Sequence, residues 1–276
     1  MRKGKTVIVR GGGDLATGII YRLWKVGCSV LALETARPLV VRRTVSVASA
    51  VFDGSAKVEE MRAALIDSAE KFAAGSDVVQ VLVDPEGKAI EKIRPDILID
   101  ATMAKKNLGT TKDMAPLVIA IGPGFSAPQE VHAVIETKRG HTLGRVITDG
   151  GAIPNTGVPG MIKGFSTERL LRAPADGYLL PVHKIGDEVS CGEVVGYVNG
   201  VEVCAKLDGI LRGLIHPNVY VTKGLKIGDV DPRGDASHCW SITDKALAIA
   251  GGVLEVIMSA DHGTEKDQDQ PKGEAE

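Results

Sequence analysis

The segment Gly11-Gly-Gly-Asp-Leu-Ala-Thr-Gly18 has the composition of a phosphate cradle, set between an apolar run, Val7 to Val9, and a stretch of helical spacing. Gly11-x-Gly13-x-x-Ala16 fits the dinucleotide-binding pattern. Its first glycine makes a tight turn, its second lets backbone approach a pyrophosphate, and its last small residue lets helix and strand pack closely. Free N–H groups at the start of the following helix attract an anion. Gly12 lies within the same turn. Asp14 complicates the pattern, because a carboxylate at a helix start caps it but repels phosphate unless it accepts a hydroxyl or a ring N–H. Glu34 closes a second apolar run, Ser29 to Glu34, where a carboxylate can accept from ribose hydroxyls; a solvated strand end is the competing reading.

Other residues of the right type are scattered along the chain. Arg42 and Arg43 follow the second apolar run and belong at the rim of the same crevice. Gly122 and Gly124, in Ile121-Gly-Pro-Gly-Phe125, either admit a ligand to the backbone or simply turn the chain. Arg139, His141 and Arg145 stand in a glycine-punctuated stretch. Arginines grip oxyanions bidentately, and a histidine changes charge near neutral pH; ordinary hairpin charges are the alternative. His238-Cys239 pairs an imidazole with a thiol whose pKa an imidazolium would lower, which makes Cys239 the candidate catalytic group. A cysteine packed beside Trp240 is the plainer reading. No spacing of His, Cys and acid suggests a metal site.

These residues need a scaffold, and the pattern of the chain supplies one. The first glycine turn joins a strand to a helix that runs to Val26 and stops at Gly27. Strands are expected at 78–83, 96–102 and 116–121, a helix at 61–74, and a loop-rich passage at 150–164. Strands recurring between crossovers imply an open α/β sheet whose strand ends point at a site. Residues 173–230 repeat: a shift of 32 residues superimposes Asp176-Gly177 on Asp208-Gly209, Gly192 on Gly224 and Val198 on Val230. Each copy is too short to bury its own apolar face, so the two must pack together. Ser241 or Thr243 then caps an amphipathic helix to about Met258, and the polar tail from Asp261 reads as disordered.

Composition narrows the function. The 276 residues suffice for two domains, and a net charge of −2 with mixed signs leaves no footprint for nucleic acid. No apolar run approaches the roughly 20 residues that span a bilayer, and the first residues do not read as a signal peptide. A cytoplasmic protein is expected, with four dispersed cysteines kept as thiols.

The doubled unit resembles the biotinyl/lipoyl carrier family, although its hairpin, Tyr197 to Val203, has no carrier lysine. The whole chain resembles the Rossmann-type accessory proteins of selenium-dependent molybdenum hydroxylases, distant relatives of the xanthine dehydrogenase accessory proteins. That resemblance rests on Val9 to Gly18, Arg42 to Ser46, Ile121 to Phe125, Glu136 to Val146, Asn155 to Gly160, Lys226 to Arg233 and Ser241 to Ala246. It implies a Rossmann-like domain at 1–165, a small β barrel-sandwich at 170–233, a C-terminal helix at 236–260 returning to the first domain, and a tail at 261–276. It further implies an accessory factor that binds the molybdenum cofactor, or its dinucleotide form, for modification or delivery to a molybdenum hydroxylase; a Cys239 thiolate beside His238 would then be the group to receive selenium or sulfur, or to ligate molybdenum. The glycine turn and Glu34 equally suit an NAD(P)-dependent oxidoreductase or a non-catalytic nucleotide-binding scaffold. Whether the protein is an enzyme or a homo-oligomer stays open at this point.

Overall fold

The computed structural model describes residues 4–104, 106–154, 157 and 160–268. Alternation of apolar side chains sets the main layer. In β1 (Thr6–Arg10), Val7 and Val9 enter one core and Ile8 the other. After α1 (Asp14–Lys25), β2 (Ser29–Glu34) repeats this, with Val30 and Ala32 on the first side and Leu31 and Leu33 on the second. A strand buried on both faces is the signature of a parallel sheet. The short helix α2 (Ala50–Asp53) leads into β3 (Ser55–Val58), β4 (Met61–Ile66), β5 (Val79–Val83), α3 (Lys88–Ile93), β6 (Ile97–Asp100), β7 (Leu117–Ile121), β8 (Ala133–Ile135) and β9 (Val146–Ile147). The strand order is β3-β4-β5-β2-β1-β6-β7-β8-β9, parallel from β4 to β8 with an antiparallel strand at each end.

The helix expected at 61–74 is not formed. That segment holds β4 and a single 3-10 turn at Ala69–Lys71. Met61 and Ala63 are buried while Arg62 is exposed, a period of two, and pairing with both β3 and β5 outweighs the helical propensity of the local residues.

The repeat forms two antiparallel four-stranded sheets. Its strands are β10 (Leu170–Arg172), β11 (Gly177–Pro181), β12 (Glu188–Val189), β13 (Val194–Val198), β14 (Val201–Cys204), β15 (Gly209–Leu214), β16 (Tyr220–Val221) and β17 (Lys226–Asp231). The orders are β10-β17-β15-β12 and β14-β13-β11-β16. The 32-residue shift carries β11 onto β15, β12 onto β16 and β13 onto β17, so each sheet contains strands of both copies. Asn199 and Gly200 turn β13 into β14 with φ of 51° and 77°, the positive values a two-residue hairpin needs. One apolar core, from Leu171 to Cys239, fills the space between the sheets.

α4 (Asp244–Gln268) then returns to the large sheet and continues past 260, where a tail was expected; residues 269–276 lie outside the described residues. Thr243 caps it, its hydroxyl accepting from the Ala246 N–H at 3.2 Å. Ile249, Ala250, Val253 and Ile257 pack with α1 against the first core. The two helices touch where Gly18 meets Ala246, since a Cβ on Gly18 would lie 2.6 Å from the Ala246 Cβ. No helix among the described residues is long and apolar enough to cross a membrane.

Candidate ligand crevice

The carboxyl ends of β1, β2, β5 and β6 open into a crevice of about 890 Å³, roofed by the doubled β unit. Chain direction makes this the expected place for a ligand. From β1 the sheet grows through β2 on one side and β6 on the other, so β1 and β6 flank a topological switch point. A wider depression, about 1310 Å³, lies at the amino ends of β6 and β7 among solvated charges such as Lys88, Glu91 and Lys112. It lacks the convergence of elements found at the crevice.

The glycine turn is built as its sequence suggests. The Gly11 N–H donates to Leu33 O, and Gly11 has φ of 97° with no room for a Cβ beside Ala101 O, 2.8 Å away. Gly12 is held from behind: its carbonyl accepts from Ser46 Oγ, Thr17 Oγ1 and the Ala48 N–H. Gly13, Asp14 and Ala16 line the crevice at the N-terminus of α1, and their N–H groups have no partner among the described residues.

Glu34 has a different task from the expected one. Its Oε1 accepts the Gly12 N–H at 2.8 Å and its Oε2 the Thr35 N–H at 2.8 Å. Each oxygen thus accepts one backbone N–H, one from the glycine turn and one from Thr35, and keeps a further lone pair toward the crevice it lines. Burial pushes the Glu34 carboxyl up, while these two N–H bonds hold it down.

The roof supplies a charged wall that the glycine pattern does not announce. Arg169 Nη2 donates to both oxygens of Asp229, at 2.9 and 3.2 Å, and Arg212 grips the same carboxylate through Nε at 2.9 Å and Nη2 at 2.5 Å. All three are buried. Arg212 Nη1 continues to Asp231 at 3.2 Å, and Asp231 is clasped by Arg233. Arg42 crosses from the sheet side, donating to the carbonyls of His238 and Ser241 at 2.9 and 3.3 Å, with Nη1 3.8 Å from Asp14.

Lys226 completes the wall. Of the cations lining the crevice, Arg10 meets Asp100 and Thr110, and the three other arginines have the partners just named. The Lys226 ammonium has neither ion pair nor hydrogen bond among the described residues. Burial pulls its pKa down, and the nearby charges of Asp229 and Asp14 oppose that shift.

Other expected site residues lie elsewhere. Arg43 donates through Nε to Leu214 O and ties the strap after β2 to β15. Gly122 has φ of 79° and its N–H bonds Ile135 O, while Gly124 has φ of 105°; both turn the chain beyond β7 and neither lines the crevice. Arg139 forms a two-pronged pair with Asp244, at 2.8 and 3.1 Å, at the start of α4. His141 and Arg145 are exposed in the turn that packs Gly144 on Ala248. Asn155, Thr156, Val158 and Pro159, in one of the motifs singled out above, lie outside the described residues.

Cys239 is corrected by its surroundings. It is fully buried, 3.9 Å from Leu211 O, and burial pushes its thiol up despite Arg42 and Arg212 nearby. A thiol so placed packs rather than reacts. Among the described residues no three His, Cys, Asp or Glu side chains gather as metal ligands would.

The Asp231 carboxyl makes a pH prediction. Burial would raise its pKa, but the Arg233 bonds and the charges of Arg212 and Arg233 together outweigh this and bring it from 3.8 to about 2. The folded state thus holds this proton less tightly than the unfolded chain. The stability it contributes, about 2 kcal/mol, is complete above pH ~4 and drains as pH falls toward ~2. Urea denaturation at pH 5, 4 and 3 should show the decline, and it should be at least halved in Asp231→Asn.

These observations define an α/β protein with an inter-layer crevice. Comparison with known proteins adds one clear relative: the uncharacterized protein YqeB of Escherichia coli K12, 46% identical over 258 residues, or 93% of this chain and 48% of that protein. The chain spans about half the length of the curated relative it matches. No protein-family model matches it.

Similar solved structures include a succinylglutamate desuccinylase/aspartoacylase from Rhodobacter sphaeroides, at 12% identity and a TM-score of 0.24. An aspartoacylase family protein from Mesorhizobium loti has 11% identity and a TM-score of 0.26. The product-bound ectoine utilization protein EutE (DoeB) from Ruegeria pomeroyi has 13% and 0.25. Each covers 83% of this chain and 85% of its own.

These likenesses fall among acylase and ectoine-utilization proteins, not among molybdenum hydroxylase accessory proteins or nicotinamide enzymes. The expected resemblance finds no counterpart among these relatives and is not carried further. With it go the maturation role, selenium handling, the molybdenum cofactor and NAD(P) as ligands, and the oxidoreductase and nucleotide-scaffold alternatives. At TM-scores near 0.25 the same likenesses transfer no activity to this chain.

Proposed function

We propose that the protein binds a small organic oxyanion, a phosphate ester or carboxylate, in the crevice, with Lys226 as its charge partner. The carrying observation is the half-buried ammonium of Lys226, which faces a cavity of ligand size without a partner among the described residues. Each carboxylate lining the crevice already has donors. Asp229 has two arginines, Glu34 has backbone N–H groups, Asp84 accepts from Gly87 and Ala89, and Asp14 accepts from the Leu15 N–H. The N–H groups at the start of α1 add a second source of positive potential.

The division into 1–165, 170–233 and 236–260 is part of the same reading. The small unit is taken as a biotinyl/lipoyl-like barrel-sandwich that serves as the roof of the crevice, its hairpin at Asn199-Gly200 carrying no lysine. The strand exchange between its two copies supports this reading.

Calorimetric titration with inorganic phosphate, pyrophosphate and acetate tests the proposal. A charge-assisted bond from Lys226 is worth ~1.5–3 kcal/mol, so Lys226→Met should weaken the tightest of these at least about tenfold. The same substitution removes a desolvated charge and should raise the melting temperature of the unliganded protein by about 2 °C. Undetectable binding of all three by the unaltered protein at millimolar concentration sinks the idea.

A further inference from the structure

The crevice has a second character at its mouth. Leu39, Leu108 and Met103 are 58%, 52% and 40% exposed, although large apolar side chains gain from burial, and all three line this cavity. Leu39 belongs to the strap that follows β2, with Pro38 beside it; Met103 and Leu108 belong to the loop that follows β6. The strap is anchored on one side by the Leu214 N–H donating to Val41 O at 2.8 Å. The loop is anchored on the other by Asn107, whose side chain bonds Thr110 and Glu130. Leu39, Met103 and Leu108 thus present apolar side chains to one concave space, while Lys226 and the start of α1 line the same space.

Resting on the reading of the crevice as an oxyanion site, we infer that its ligand is amphipathic: an acyl or aryl compound whose single anionic group meets Lys226 and whose apolar body is clasped between Leu39 on one side and Met103 and Leu108 on the other. One charge is what the site can neutralise, since the other charged side chains of the crevice are already partnered. A ligand that was charge alone would leave Leu39, Leu108 and Met103 in water. An apolar body covers them and gains by the area removed from solvent.

Paired probes test this. Phenyl phosphate should bind at least tenfold tighter than inorganic phosphate, or phenylacetate at least tenfold tighter than acetate; whichever pair responds identifies the anionic group. Leu39→Ser and Leu108→Ser lie on the surface and leave the fold intact. Each should cut that advantage to threefold or less without changing affinity for the bare anion. If bare anion and aryl compound bind equally, the amphipathic inference is overturned while the oxyanion site stands. If no probe binds, the site itself fails, and this inference with it.

Discussion

Replacing Asp229 by alanine should destabilise the protein by ~3–5 kcal/mol, the usual result of removing one partner from a buried ion cluster. The carboxylate receives Arg169 and Arg212 together, and all three side chains are buried between β10, β15 and β17. Its loss leaves two buried guanidinium groups with Asp231, 3.2 Å from Arg212 Nη1, in place of the carboxylate they shared. Arg169 Nε has no hydrogen-bond partner among the described residues, and the bond from its Nη1 to Gly160 O at 3.2 Å is what would remain to it. In a chain of this size the melting temperature should drop by roughly 10 °C. Calorimetry on Asp229→Ala and Asp229→Asn decides the matter. The asparagine keeps the shape and part of the hydrogen bonding and should lose less. A loss below ~1 kcal/mol for alanine would mean that the cluster is solvated and the roof looser than described.

Gly18→Leu should cost about 4 kcal/mol and loosen α4 from the large sheet. The absence of a side chain at Gly18 is what lets α1 and α4 meet: an added Cβ would lie 2.6 Å from Ala246 Cβ and 3.0 Å from its carbonyl. Neither obstacle is the movable end of a side chain, so the helices themselves would have to part. Alanine at position 18 gains roughly 1 kcal/mol of helix propensity, yet the contact should make Gly18→Ala a net loss. Ala246→Gly in the same chain removes the nearer clash, and the double variant should recover part of the stability. Urea titration of the four proteins measures this coupling. Purely additive effects would show that the two residues do not meet in solution. Proteolysis within α4 should accelerate in the leucine variant, since Ile249, Val253 and Ile257 would lose their packing surface.

Much of the sheet was legible because its signals are local. Val7 to Val9, the glycine turn and the Ser29 to Glu34 run each specify their element within a few residues, and both faces of β1 and β2 are buried as such runs require. Residues 61–74 were misread because β4 is fixed by pairing, with 55–58 across a tight turn and with 79–82 further along the chain. Glu34 was rightly singled out, but sequence cannot say whether a carboxylate at a strand end faces a ligand or the backbone of the turn beside it. Arg42, likewise singled out, reaches the crevice while bonding two carbonyls far along the chain.

Of the roof residues, Arg169 and Arg212 escaped attention and Lys226 and Asp229 were noted only within a motif, yet the repeat contained a signal for them. The 32-residue shift pairs Arg212 with Leu180, Lys226 with Val194, Asp229 with Tyr197 and Arg169 with Val201. A copy that carries charge where its twin carries apolar or aromatic side chains has been given a task its twin lacks. Read that way, the comparison of the two copies marks these wall residues together with other unequal pairs such as Glu188 against Tyr220 and Glu193 against Leu225.

The exchange of β12 and β16 between the two sheets has a consequence for how such a wall can arise. Each copy completes the other, as the subunits of an interlocked dimer do, but here one chain encodes both. Two identical polypeptides would have to place any new lysine on both surfaces at once. Covalent fusion lifts that constraint: one half is free to acquire Arg212, Lys226 and Asp229, while the other keeps Leu180 facing solvent at the place of Arg212.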